Sequence, residues 1–371
     1  MKLTFPHLGN AFISVKVLLD EFNIDYVIPP FNNKKALEIG MKHSPEFACL
    51  PLKINIGNII EACSNGADTV LMAGGCGPCR FGYYGQLEKE ILKDAGYHLK
   101  FVNLDFPRTR DLGDYLKTLG KITGFNVYKI ARAIRNTAKM SVLVDELERL
   151  TYKIRPREVK KGSVDRVYKN FLAQARETKG FSNLKRLVEN TAKQINDIEI
   201  NKEYMPLKVG IVGEIYTTID SNTSFNLDVR LGNLGVEVDR KVTISNWIIE
   251  HMLKKYLPVS RDMSYAEAAK PYLGAMIGGH AQETIGNSVQ YANSGYDGII
   301  QIYPLTCMPE IVAQSILPKV ESDFDIPVLT LIIDEMTGEA GYLTRVEAFT
   351  DLLARRKEMS QINGKGLLSG Y

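Results

Sequence analysis

The chain has 371 residues, 45% hydrophobic and 24% charged, with a formal net charge of +3. At about 150 residues per domain this length predicts two domains, and the composition excludes collagen-like, wholly disordered and small disulfide-scaffold proteins. No apolar run approaches the ~20 residues of a membrane helix, MKLTFPHLGN lacks the charged and then apolar pattern of a signal peptide, and +3 is too little charge to imply nucleic acid. A cytoplasmic protein without membrane or nucleic-acid partners is expected. Its five cysteines are then thiols kept reduced and available for chemistry.

Residues 2–5 read as a short strand, 11–22 as a helix with Phe12, Val15, Val17, Leu18 and Leu19 apolar, and 26–28 as a second strand ended by Pro29 and Pro30. A helix over 52–63 leads into a strand at 69–73. A helix over 84–95 ends at Gly96 and gives way to a strand at 99–104. Strand, helix and strand at these spacings predict βαβ units and a mostly parallel sheet.

From 126 to 198 the periodicity is helical, through Val127, Ile130, Ile134, Ala138 and Val142 and again through Leu184, Leu187, Val188, Ala192 and Ile195. Residues 121–193 hold 18 Lys/Arg against 7 Asp/Glu, a net +11, which leaves −8 for the rest of the chain. Solvated helix faces explain such a segment. So does a docking face for an acidic partner or for coenzyme A phosphates. Beyond Pro206 the α/β pattern returns, with strands at 207–212, 236–242, 298–303 and 328–333 and helices at 247–256, 310–320 and 345–357. The expected organisation is an α/β lobe over 1–120, a basic helical segment over 121–204, and a second α/β lobe over 205–371.

Four cysteines share a local context. Cys49 and Cys307 both stand in Cys-x-Pro immediately before a helical pattern. Proline is favoured in a first helical turn, so each cysteine is placed near a helix N-terminus, where unpaired N–H groups and the macrodipole favour a thiolate. Cys76 and Cys79 lie in GGCGPCRFG at 74–82, after a strand and before a helix. Gly74, Gly75 and Gly77 allow a backbone N–H nest suited to an anion, and Arg80 adds a positive charge. Ligands gather outside the carboxyl ends of parallel strands, so a Cys-x-Pro in each lobe predicts lobes facing a shared site. Cys63, inside a helical run, reads as a core residue.

Three chemistries use such thiolates. An iron–sulfur cluster is held by cysteines and stabilised by N–H donors and nearby positive charge. Structural zinc also takes four thiolates, but usually as two close pairs. A dithiol would use Cys76 and Cys79 alone and leave Cys49 and Cys307 unexplained. The repeated helix-start cysteines favour the cluster.

The blocks CLPLK at 49–53, GADTVLMAGGCGPCRFGYYGQ at 66–86, VGIVGEIYT at 209–217, GGHAQE at 278–283, CMPE at 307–310 and DEMTGEAGYLTRVEAF at 334–349 carry a resemblance. They resemble the CoA-substrate-specific enzyme activase-associated proteins, relatives of the 2-hydroxyacyl-CoA dehydratase subunits. The resemblance implies an oxygen-sensitive iron–sulfur protein with two Rossmann-like lobes, joined by the helical segment, and a [4Fe–4S]-type cluster between them. Its ligands carry over to Cys49, Cys79 and Cys307, with Cys76 as the fourth. A fully thiolate-bound cluster implies a low-potential electron-transfer or reductase component. An iron left open implies instead a dehydratase-type lyase acting on a 2-hydroxyacyl-CoA. A structural zinc scaffold is the remaining alternative. No G-x-x-x-x-G-K-[ST] phosphate loop occurs, so the resemblance implies a separate ATP-hydrolysing activator as partner, an acyl-CoA as ligand, and a homodimer.

His280 and Glu283 read either as a proton-donor pair near the cluster, as contacts to a partner, or as a helix start with a capping histidine. Glu214, Asp334 and Glu335 follow strands and stand as cleft-lining or structural carboxylates. His7, His43, His98 and His251 show no metal spacing.

Overall fold

The structure, a computed structural model, describes residues 1–72, 79–103, 120, 126–249 and 263–368. It is mixed α/β, with two sheets whose strands are all parallel. The chain divides into two compact units. Unit 1 holds Met1–Glu148, Tyr168–Lys193 and Thr243–Ser260; unit 2 holds Arg149–Val167, Gln194–Val242 and Arg261–Tyr371. Among the described residues no helix is long and apolar enough to cross a membrane.

In unit 1, β1 (Leu3–Thr4), β2 (Thr69–Met72) and β3 (Lys100–Asn103) pair in that order, with Leu3 opposite Thr69 and Thr69 opposite Lys100. The strand expected at 26–28 is reduced to one parallel bridge from Tyr26 to Leu3, supported by the Val27 N–H donating to the Leu3 carbonyl at 2.7 Å. Pro29 and Pro30 have no N–H with which to extend it. Counted with that bridge, the strands lie in the chain order second, first, third, fourth. All four residues of β2 are buried, as a strand covered on both faces requires.

Helix Leu50–Ser64 supplies Ile56, Ile59 and Ile60 to a core that includes Val70 of β2 and Leu92 of helix Phe81–Asp94. A helix over Lys34–His43, absent from the sequence reading, is capped by Asn33, whose side chain accepts from the Ala36 N–H at 2.9 Å. It packs closely on helix Leu50–Ser64 through two glycines. A Cβ on Gly57 would fall on the Ala36 carbonyl oxygen, and one on Gly40 would fall on that of Lys53. Gly40 interrupts the sequence pattern because the neighbouring backbone occupies the space of a side chain.

The helical middle is three helices, Val127–Ile154, Ser163–Glu177 and Phe181–Asn196. Within unit 1, buried Lys16 donates from Nζ to the Ala175 carbonyl at 2.6 Å and to that of Arg176, closing a helix C-terminus. Burial lowers its pKa to about 8. The Arg176 guanidinium lies over the Phe12 and Phe31 rings, 5.7 and 4.9 Å from their centroids.

In unit 2 the order is β5-β4-β6-β7, with β4 at Leu207–Gly213, β5 at Val236–Arg240, β6 at Gly298–Pro304 and β7 at Val328–Ile333. Val209 stands opposite Val238 on one side and Gly298 on the other. This is again second, first, third, fourth. Fully buried Arg155 pairs with Asp165 at 2.7 Å, its stem lying where a Cβ on Gly232 would be. The helix expected at 247–256 appears as Ile244–Trp247, and residues 250–262 lie outside the described residues. The last helix, expected at 345–357, runs Glu339–Leu368.

The glycine contact gives a direct test. Gly57→Ala gains helix propensity but drives its methyl into a backbone carbonyl that cannot rotate away. The clash outweighs the gain, and the variant should lose about 3 kcal/mol of stability, read as a lowered urea midpoint.

Candidate functional site

Cys49 is the N-cap residue of helix Leu50–Ser64, at φ −68° and ψ 154°, with Pro51 in the first turn. Its carbonyl accepts from the Leu52 N–H at 3.0 Å. Cys79 immediately precedes Arg80, the N-cap of helix Phe81–Asp94, and its carbonyl accepts from the Gly82 N–H at 3.2 Å. Both cysteines are half-buried.

Two contacts pin these helix starts together. The Arg80 guanidinium donates to the Phe47 carbonyl at 3.1 Å, two residues before Cys49. The Tyr84 hydroxyl is hydrogen-bonded to the Cys49 sulfur. Tyr84 is itself buried with Leu52 and Met72, and its ring lies 5.5 Å from that of Phe81. Arg80 therefore has a positional role besides its charge. Cys76 and Gly77, expected as ligand and anion nest, lie outside the described residues. Cys63 packs against the Ile56–Leu92 core, and burial pushes its thiol up to about 11, as befits a packing residue.

In unit 2, Cys307 is the N-cap of helix Met308–Phe324, with Pro309 in the first turn and its own N–H donating to the Pro304 carbonyl at 3.1 Å. The preceding Thr306 is held at φ +70°. For a β-branched residue that conformation costs roughly 1–3 kcal/mol, and such strain concentrates at functional sites. The strand order places a topological switch point between β4 and β6. Glu214 follows β4 and Cys307 follows β6, so both stand at the carboxyl edge where ligands of open parallel sheets bind.

Glu214 caps the short helix Ile215–Ile219, accepting from the Tyr216 and Thr217 N–H groups at 3.0 Å each. Burial raises its pKa, and those two bonds oppose the rise. His280 occupies the N-cap of helix Ala281–Asn293, but its side chain makes no capping bond, so the capping reading is corrected. Burial lowers the imidazole pKa while the Glu214 charge opposes that shift, which favours the neutral ring. Gly279, at φ +56°, lets this turn lie against Pro309, which a Cβ would strike. Glu283 sits half-buried in the first turn of the same helix. Asp334 serves the turn after β7, accepting from the Met336 N–H at 2.9 Å and the Thr337 hydroxyl at 2.7 Å.

Two carboxylates escaped the sequence reading. Glu310 appeared there only as the last letter of CMPE, yet it is wholly buried. Thr284 Oγ1 lies 3.1 and 3.0 Å from its two oxygens, and Gln301 Nε2 donates to Oε2 at 3.0 Å. Burial pushes its pKa up to about 7, against those bonds and with help from the Glu214 and Glu283 charges. Glu88 is buried in unit 1. Its signal was the spacing Tyr84, Glu88, Leu92, which puts all three on one helix face.

The two units repeat one placement. In each, the helix after the third strand starts at or just after a cysteine, Cys79 in unit 1 and Cys307 in unit 2. The helix before the third strand is headed by Cys49 in unit 1 and by His280 in unit 2. The donor chemistry suits an iron–sulfur cluster, with thiols at helix starts beside N–H groups and a hydroxyl already on one sulfur. Among the described residues no group of three or more His, Cys, Asp or Glu side chains forms a ready metal site.

The buried acid near Cys307 has a pH signature. A glutamate with a raised folded pKa stabilises most below its unfolded value of 4.5, and that contribution is lost as pH rises through about 7. Glu310→Gln should flatten the decline, changing the stability difference from wild type by on the order of 3 kcal/mol across that window in urea titrations. Neither a protein-family model nor a curated protein matches this chain.

Proposed function

We propose that the protein is an iron–sulfur protein of the kind its sequence blocks resemble, a low-potential electron-transfer or reductase component. The observation that carries this reading is the repeated placement of cysteines at helix starts along the carboxyl edges of two parallel sheets. The shared strand order supports reading the units as Rossmann-like lobes. Cys49, Cys79 and Cys307 would hold the group, with Cys76 as the fourth thiolate. Bound there, a [4Fe–4S] cluster supplies one-electron chemistry at low potential.

The chain's own residues support that role in three ways. N-terminal N–H groups of helices Leu50–Ser64 and Met308–Phe324 stabilise negative sulfur. The Tyr84 hydroxyl is in position to donate to the Cys49 sulfur, a bond of the type that raises a cluster potential. His280, kept neutral at its ring by burial, stands where Cys49 stands in the first unit and is the candidate to hold a proton or a ligand position. The reading brings with it a separate ATP-hydrolysing activator, a cytoplasmic setting, an acyl-CoA as the downstream ligand and a homodimer.

Anaerobic purification followed by iron and sulfide analysis tests it. The expected product is a brown protein with equal iron and sulfide and an EPR signal on reduction. Cys49→Ser or Cys307→Ser should lower the iron content sharply while far-ultraviolet circular dichroism is retained. A colourless protein with stoichiometric zinc would overturn the reading in favour of a structural scaffold.

A further inference from the structure

Glu88 is 0% exposed, and so is its partner Asn55 on the facing helix. The Asn55 amide donates from Nδ2 to Glu88 Oε1 at 3.1 Å. Among the described residues, the other oxygen of each group, Glu88 Oε2 and Asn55 Oδ1, is buried with no hydrogen-bond partner. Two acceptor oxygens left in this way each carry the desolvation cost of an unmade hydrogen bond if both stay unpaired. A single proton on the carboxyl changes the count, because it makes Oε2 a donor and leaves the amide oxygen as its acceptor.

We propose that Glu88 is a positioning residue held as the neutral acid, its proton closing a second hydrogen bond to the Asn55 amide oxygen. The reciprocal acid–amide pair then clamps helix Phe81–Asp94 to helix Leu50–Ser64, the two helices whose starts bear Cys79 and Cys49. Tyr84, one turn before Glu88, carries the clamp to the Cys49 sulfur. The clamp involves no iron, so it stands or falls separately from the proposed cluster.

The surroundings favour the neutral form. Burial drives the carboxyl up to about 8, and only the Asn55 bond opposes it. On helix Leu50–Ser64 the buried charge is Lys53, whose ammonium donates to the Glu46 carbonyl at 2.9 Å. On its own helix Lys89, Glu90, Lys93 and Asp94 are off the buried face, as is Lys100 of β3. Among the described residues, the packed faces also carry Tyr84, bonded to Cys49, Cys63, a thiol held neutral by burial, Tyr97, packed on the Ile56–Leu92 core, and Glu61, paired with Lys35 at 3.3 Å.

The experiment compares wild type with Glu88→Gln, an isosteric amide that donates without titrating, and with Glu88→Ala, which cannot donate. Urea midpoints are read from pH 4.5 through about 8, all in a Glu310→Gln background that removes the buried acid raised to about 7 in unit 2. Wild type should lose stability across that window, Glu88→Gln should stay level, and Glu88→Ala should be weaker throughout. The alkylation rate of Cys49 by iodoacetamide, taken as the ratio of wild type to Glu88→Gln at each pH, should rise several-fold as pH passes about 8. The infrared band of a protonated carboxylic acid should be present in the background protein and absent from Glu88→Gln. Parallel pH profiles for the glutamate and the glutamine, or an unchanged band, would overturn the proposal. An iron-free protein with the expected profiles would leave the clamp standing and remove only the cluster.

Discussion

Parallel strand pairing is the constraint on which the rest depends. A strand cannot be joined to a parallel neighbour by a tight turn, so the chain must cross back through a helix or an equivalent segment. Each crossover begins at the carboxyl edge of a sheet. Helix starts therefore collect on one edge, and an open sheet that reverses its order leaves a crevice there. In unit 2 that crevice lies between β4 and β6, and the residues beyond those strands are Glu214, Thr306 and Cys307. The same pairing buries both faces of a central strand, which explains why all seven residues of β6 are buried. Gln301 is the polar exception. Its amide spends one side on Glu310 and accepts from the Thr330 hydroxyl at 3.1 Å on the other. A buried amide satisfied on both sides fixes the start of the Cys307 helix against two strands.

Charge is distributed by the same logic. The basic middle and the acidic remainder of the chain look like opposed surfaces in the sequence, yet much of that charge is used internally. Arg155 is buried on Asp165, Arg157 meets Glu237 at 2.6 Å, Arg132 is paired with Glu21, and Arg176 is stacked between two phenylalanines. Arginine suits these places because its planar fork meets carboxylates and rings without losing its charge. Other cations of the segment, among them Lys139, Lys160, Lys161 and Lys193, are exposed. Solvated helix faces and internal pairing thus account for a composition that a single docking surface would also produce.

What the sequence made legible follows from which signals are local. β7 matches its expected span, and Cys49 and Cys307 are helix caps because Pro two residues on is a local statement about helix geometry. Tyr26–Leu3 pairing shrank to a bridge because the prolines that mark its end also remove its ladder donors. Helix Lys34–His43 was hidden because Gly40 answers to the Lys53 backbone, a tertiary reason. Glu88 and Glu310 were hidden for a like cause. Each is flanked by ordinary surface or helix-start residues, and only the facing amides of Asn55 and Gln301 disclose that the carboxyl is inside.

Those two acids share a physical role that neither pattern nor propensity describes. An ionised carboxylate in a dry interior is costly, and one near thiolates adds like-charge repulsion to that cost. A glutamine would avoid both but could not exchange its charge state. A glutamate whose burial outweighs its hydrogen bonds holds its proton well above the usual carboxylate range, makes the contacts of an amide while protonated, and still retains a proton to lose. Helix N-termini already supply positive potential to the cysteines, so further cations are not required beside them. What the interior must avoid is extra negative charge. Carboxyls pushed up to about 8 and about 7, behind the helices headed by Cys49 and Cys307, lessen that charge at each helix start.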